Sequence, residues 1–349
     1  MSNQESSSRS AVIKLAGGFG SPYSLKMRAV MRYRQIPFQW IPRDSRWDDL
    51  PAAKVRLMPT LGFANPDGVY DEVAVDSTPL IDRLETMYSQ RSLVPADPVV
   101  AFLDYLIEDY ADEWLTKAMY HYRWFYDDSI SKAGKLLPFD QNVQMPVAQW
   151  RGGVDFITQR QIARMALVGS TLENREIIES SYRRFLGLLD ALILDGHFLS
   201  GDRPGRADMG IYGQLSQLAL WDPSSQRVTL EIAPRVVTWT QQLDDLSWLP
   251  VVDGQGWGSR SDLGEKLHDL LCEIGSTYVP FMLANNEAVG AQSDETSCEI
   301  LGSVYRQGPF SYQVKCLQWL RERYGLLTER ERADVATILT GTGVDSLFL

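Results

Sequence analysis

Cysteine is nearly absent: Cys272, Cys298 and Cys316 are the only three in 349 residues, all in the last quarter and none in a CxxC pair. So sparse and odd a count excludes a disulfide scaffold and fits reduced thiols in a reducing compartment. Histidine is equally scarce, and His121, His197 and His268 are scattered with no metal-ligand spacing. Positive charge is in deficit, 34 Lys and Arg against 45 Asp and Glu, for a net charge of −11. That balance argues against nucleic acid or an anionic membrane as the main partner. Long apolar runs are missing too. The most apolar helical stretch, Leu186 to Leu194, is interrupted by Asp190 and is too short to span a bilayer. The first ten residues, MSNQESSSRS, lack the apolar centre of a targeting segment and read as a disordered tail, so a cytoplasmic protein is expected.

What is present begins at Val12. Val12-Ile13-Lys14-Leu15-Ala16 has the length and branching of a buried strand, and Gly17, Gly18 and Gly20 break it. Ser21-Pro22 follows, and Tyr23, Met27, Val30 and Met31 then recur at helical spacing. Ser21 suits an N-cap and Pro22 a first helical turn, which needs no N–H from it. Strand, glycine turn and helix place Ser21 at a helix terminus whose unpaired N–H groups favour an anion.

Pro37 to Pro42 alternates as a second strand, parallel to the first because a helix joins them. Leu61-Gly62-Phe63 and Val69-Tyr70 flank Asn65-Pro66-Asp67-Gly68, a hairpin signal, and the second hairpin strand ends near Val75. Asp76-Ser77-Thr78-Pro79 opens a helix through Leu80, Ile81, Leu84 and Met87, completing βαβ–ββα. That layout brings the loops at Ser21, Met58-Pro59 and Asp76-Ser77 to one edge. After Pro95-Ala96-Asp97-Pro98 an aromatic-rich helix is expected over 99–126, a loop over Ser129–Gly153, and helices over 156–168, 175–194, 207–220 and 236–243. Past Pro250 and a Gly-rich linker, helices are expected around 263–283 and 314–324. No internal repeat or low-complexity segment occurs.

Four motifs, in order, resemble those of the glutathione transferase superfamily. Ser21-Pro22-Tyr23-Ser24 resembles the glutaredoxin-type CPYC and the Ser-Pro-Phe of serine-type transferases. Met58-Pro59-Thr60-Leu61 resembles the Val-Pro-x-Leu with its cis-proline. Asp76-Ser77 resembles the Glu-Ser pair that holds the γ-glutamyl end of glutathione. Leu199 to Asp208, LSGDRPGRAD, resembles the Leu-x-Gly-x-x-Pro-(Ser/Thr)-x-Ala-Asp capping box. Asp76 replaces the usual Glu, and Gly205 stands where Ser or Thr normally caps, a loss of a few tenths of a kcal/mol, roughly. The resemblance covers about Ile13 to Leu249, and the chain beyond Pro250 matches nothing in the minimal family pattern.

The resemblance implies α/β plus all-α architecture, a thioredoxin-like glutathione-binding domain (11–95) followed by a helical bundle domain (96–250); composition and helical spacing add a disordered tail (1–10) before them and a helical C-terminal extension (251–349) after. It implies glutathione as co-substrate, no metal, an electrophilic small molecule as second substrate, and a homodimer. Ser21 would stabilise the glutathione thiolate. Lowering a thiol pKa by about two units takes roughly 2.7 kcal/mol, within reach of one charge-assisted hydrogen bond plus a helix terminus. Met58, Pro59, Asp76 and Ser77 would bind the tripeptide, and Lys54 or Arg56 its glycine carboxylate. Tyr105 and Asp109 would line the second-substrate pocket, with Ser24, Tyr23, His121 and Trp124 structural. With serine at both redox positions, no dithiol exchange is expected. The alternative is a binding or scaffold protein that keeps the fold without turnover.

Overall fold

The computed structural model describes residues 12–349, so the expected N-terminal tail lies outside the described residues. β1 (Ile13–Gly17), α1 (Pro22–Tyr33) and β2 (Phe38–Pro42) form the parallel βαβ unit, and β3 (Thr60–Ala64), β4 (Tyr70–Val75) and α2 (Ser77–Met87) follow. The four strands make one mixed sheet in the order β2-β1-β3-β4. β1 runs parallel to β2 and antiparallel to β3, and β3 runs antiparallel to β4. This is the thioredoxin-like arrangement expected from the sequence. Leu15, Met27, Val30, Met31, Leu61, Leu80, Ile81 and Leu84 fill the space between sheet and helices. Each such buried side chain contributes about 1.5–3 kcal/mol of transfer free energy.

The remainder is largely helical. α3 (Pro98–Tyr110) continues through a π-helical turn (Ala111–Leu115) into α4 (Thr116–Phe125), and Phe102, Tyr105, Leu106, Tyr110 and Trp114 are all buried. α5 (Asp127–Leu136), a 3₁₀ turn (Leu137–Asp140) and α6 (Val147–Ile162) come next, so the expected loop over Ser129–Gly153 is mostly helix. Its prolines and glycines have helical uses. Pro138 sits in the first turn of the 3₁₀ segment and Pro146 is the N-cap of α6. Gly134 lets α5 and α6 touch, since a Cβ there would lie 2.5 Å from Thr158 Oγ1.

A 3₁₀ turn (Met165–Val168), α7 (Arg175–Asp195), α8 (Arg206–Leu218), α9 (Pro223–Ile232) and α10 (Pro234–Leu243) complete the helices before Pro250, α9 being additional to those read from sequence. The last hundred residues form α11 (Arg260–Ser276), α12 (Tyr278–Gly290), a hairpin of β5 (Thr296–Ile300) and β6 (Ser303–Gln307), α13 (Ser311–Leu326), α14 (Glu329–Leu339) and a 3₁₀ turn (Val344–Phe348). The helical extension thus also carries a two-stranded sheet. The single helix expected around 263–283 breaks at Thr277, whose hydroxyl donates to the Glu273 carbonyl. These elements pack back onto α3, where Phe102 meets Tyr324 and Phe348 with ring centroids 5.5 and 5.4 Å away.

The capping box is completed from elsewhere in the chain. The Gly205 N–H donates to Asp208 Oδ2 at 2.9 Å, the half of the box that the sequence retains. Asp104 of α3 supplies the missing half, accepting from the N–H groups of Arg206 and Ala207 at 2.8 and 3.2 Å. Glycine is required for this, because a Cβ on residue 205 would lie 2.1 Å from Asp104 Oδ1. The expected loss of a cap is thus offset by a tertiary one. Gly205→Ser, which restores the family-type residue, should lower stability by about 1–3 kcal/mol through overpacking. Urea unfolding checks this, and an unchanged or higher midpoint would contradict the Asp104 cap.

Candidate functional site

The sheet register brings the three candidate loops together. Ala16 near the end of β1 pairs with Thr60 at the start of β3, and Thr60 pairs with Val75 at the end of β4. The loop after β1, the Met58-Pro59 turn before β3 and the Asp76-Ser77 turn after β4 therefore leave the sheet at the same edge. Met58–Pro59 is cis, as the motif implies, with Pro59 buried and Met58 exposed. Met58 Sδ lies 3.9 Å from where a Cβ on Gly18 would be, so the second loop reaches the first.

Ser21 is the N-cap of α1, with extended backbone (φ −107°, ψ 117°), and its Oγ accepts from the Ser24 N–H at 3.3 Å. It is 9% exposed, and among the described residues no acceptor takes its hydroxyl proton. Ser24 turns inward and accepts from the Gly18 N–H, while the Tyr23 hydroxyl donates to the Asp112 carbonyl, so both are structural as expected. Sequence reasoning missed Asp140. Its carboxylate accepts from the Gly20 N–H at 3.1 Å, and a Cβ on Gly20 would strike Leu137 at 2.1 Å. The loop before α1 thus already holds a carboxyl group, raised by burial more than the Gly20 N–H lowers it, from a segment that glycine and proline content marked as loop.

At the far end of the edge, Ser77 Oγ accepts from Lys26 Nζ at 3.3 Å. Lys26 is fully buried and paired with Glu108 (2.7 Å) and Asp112 (2.5 Å), and Glu108 also pairs with Arg206 (2.6 Å). Burial raises the Glu108 carboxyl, but Arg206 and Lys26 outweigh it and bring it down to about 2. Burial dominates at Asp112, which is raised to about 6 despite Lys26. The signal for Lys26 is its position in α1, four residues before Val30 on the buried face, where a lysine needs partners. Asp76 has φ 81°, a left-handed conformation unusual for a non-glycine residue, and does not cap its own helix. Its Oδ2 accepts instead from the Tyr312 hydroxyl at 2.8 Å.

Four proposed residues are placed less favourably. Lys54 and Arg56 are exposed, and Arg56 pairs with Asp44 at 2.8 Å. Tyr105 and Asp109 do not line an opening: they are 2% and 7% exposed. Arg323 stacks 4.0 Å from the Tyr105 ring centroid, and the Tyr278 hydroxyl donates to Asp109. The reason is that α12 and α13 cover the face of α3 that the sequence reading left free. A groove of about 450 Å³ lies instead between α12 and α13, bordered by Asn286, Val314, Gln318 and Arg321. All three cysteines lie in the C-terminal extension; burial pushes the Cys298 thiol up to about 11, and burial also raises the Cys316 thiol, on α13 next to the Tyr312 side chain, far above its ordinary value. No group of His, Cys, Asp and Glu suited to a metal ion occurs among the described residues. None of the described helices is long and apolar enough to cross a membrane.

With this geometry, residues 15–92 match the family model for the N-terminal domain of glutathione S-transferases. The segment belongs to the glutathione S-transferase superfamily. Solved structures similar to the chain include the beta-etherase LigF from Sphingobium, 19% identical, covering 67% of this chain and 95% of that one with a TM-score of 0.42. A glutathione S-transferase from Rhodospirillum rubrum is 15% identical over 72% of this chain and 99% of that one, TM-score 0.40. One from Methylobacterium radiotolerans, in complex with glutathione sulfonate, is 16% identical over 69% and 98%, TM-score 0.37. No curated protein matches the sequence.

The buried ion network at the transferase-type edge is testable. Lys26→Met leaves Asp112 without its cation, and breaking such a pair costs about 3–5 kcal/mol. The deficit should be greater at pH 8 than at pH 5, because Asp112, already raised to about 6, takes up a proton in acid and no longer needs a partner. Denaturant unfolding of both proteins at the two pH values measures it. An equal deficit at both would contradict the assignment.

Proposed function

We propose that this chain is a glutathione-dependent transferase acting on an electrophilic small molecule, by conjugation or a related elimination or isomerisation. The observation that carries the reading is the sheet register, which gathers Ser21, Met58-Pro59 and Asp76-Ser77 at one edge with the Ser21 hydroxyl proton free. The Met58 backbone pairs with the cysteinyl unit as an added strand, and the N-terminal end of α2 at Ser77 receives the γ-glutamyl carboxylate. Lys54 or Arg56 meets the glycine carboxylate, if Arg56 exchanges Asp44 for it. The Ser21 O–H donates to the sulfur, which gives its proton to solvent water and attacks the electrophilic carbon as thiolate; the bonding pair moves to the leaving group or acceptor atom. Ser21→Ala should reduce turnover by about 10- to 100-fold, the worth of one hydrogen bond to a charged group. Undiminished turnover with a model electrophile would overturn its role. A homodimer is part of this reading, and sedimentation tests it.

Asp140 refines the proposal. A carboxylate on the Gly20 N–H opposes a second negative charge nearby, so it holds the thiol pKa above what Ser21 alone would give. Asp140→Asn should therefore lower the pH at which bound glutathione ionises; an unchanged or higher value would contradict the placement.

A second reading, a binding or scaffold protein without turnover, is favoured by one feature. The chain's own groups already contact both ends of the edge, Asp140 at Gly20 and Tyr312 at Asp76. Glutathione at 100 times its dissociation constant should stabilise the transferase by about 2.7 kcal/mol. An unmoved melting temperature at millimolar glutathione would decide for the scaffold.

A further inference from the structure

Asp76 is held by a residue 236 positions later in the chain. Tyr312, in the first turn of α13, donates its hydroxyl to Asp76 Oδ2 at 2.8 Å. Asp76 is half-buried and left-handed at φ 81°, and its carboxylate makes no bond to the α2 N–H groups that an aspartate in this position ordinarily caps. Its other oxygen, Oδ1, has no protein donor among the described residues. A strained backbone here spares one carboxylate oxygen from both helix and tyrosine. Lys315, one turn further along α13, is exposed and carries its ammonium 4.2 Å from the Trp319 ring centroid; burial raises the Asp76 carboxyl, and the Tyr312 hydroxyl, Lys315 and Lys26 oppose that rise. The Ser77 hydroxyl completes the group, with Lys26 behind it. The free carboxylate oxygen of Asp76 thus adjoins the start of α2, and the Lys315 ammonium lies 6.0 Å from the ring of the tyrosine that holds Asp76.

We infer that α13 is part of the ligand site: Tyr312 is a positioning residue that aims Asp76 Oδ1 at a ligand ammonium, and Lys315 supplies a cation for the carboxylate beside it. The group recognised is an α-amino-acid head, ammonium and carboxylate on one carbon. Under the proposed function, on which this inference rests, that head is the γ-glutamyl end of glutathione. The C-terminal extension then selects the thiol by its far end. Tyr312→Phe keeps the ring and its packing, and removes only the donor.

The experiment measures binding of glutathione and of N-acetyl-glutathione, which lacks the ammonium, to the full-length protein, to Tyr312→Phe and to Lys315→Ala by calorimetry. The wild type should prefer glutathione. Tyr312→Phe should shrink that preference by about ten-fold or more, the worth of a hydrogen bond to a charged group. Lys315→Ala should weaken both ligands alike by up to about five-fold, as expected of an exposed ion pair. If the wild type binds glutathione and Tyr312→Phe leaves the preference unchanged, the role of α13 is overturned while the transferase reading stands. Weakening of both ligands equally by Tyr312→Phe would mark Tyr312 as merely structural and also overturn it. No glutathione binding by the wild type would overturn the transferase reading, and this inference with it.

Discussion

The structure depends on the burial of Lys26. This one ammonium, on the helix that begins at Ser21, is held by Glu108 and Asp112 of the long central helix and donates to Ser77 at the far end of the sheet edge. Desolvating three charges costs several kcal/mol each, and only close pairing compensates. The network therefore allows little freedom in how α1 sits on α3 and α2. Arg206 extends it to α8, so the glycine loop, the Ser77 terminus and the helical bundle share one electrostatic anchor. A π-helical turn follows where Asp112 and Glu113 lie buried, a local departure of the kind that re-aims side chains within a helix.

Much of the sheet half was legible because its signals are local. Val12 to Ala16, Asn65-Pro66-Asp67-Gly68 and Asp76 to Pro79 mark strand, turn and helix start within a few residues, and the edge that gathers the loops follows from strand order. The bundle was less so. Pro138, Pro146 and Gly134 resemble loop punctuation, yet begin helices or permit close packing, and only the neighbouring helix tells the two apart. Gly205 is the same lesson in reverse: a missing cap in the sequence is a cap supplied by Asp104, about a hundred residues earlier.

The candidate site divides along the same line. The loops at Ser21, Met58-Pro59 and Asp76-Ser77 leave the sheet at one edge, because they are turns of the sheet. Tyr105 and Asp109 do not face an opening, because whether a helix face is free depends on what later packs on it, and α12 and α13 pack there. Asp140 and Tyr312 reach the edge from segments with no motif at all, and nothing local in sequence marks them. Their contacts put two parts of the chain outside the sheet domain, the 3₁₀ turn before α6 and the C-terminal extension, at opposite ends of the edge.

Under the proposed function, Ser21 stabilises a glutathione thiolate at the start of α1. The most direct measurement is an ultraviolet titration of the thiolate absorbance of bound glutathione in wild type and Ser21→Ala. The account predicts a midpoint in the wild type below the roughly 8.5 of a free thiol, and one higher by about one to two pH units in the variant. Coincident titration curves for the two proteins would contradict it.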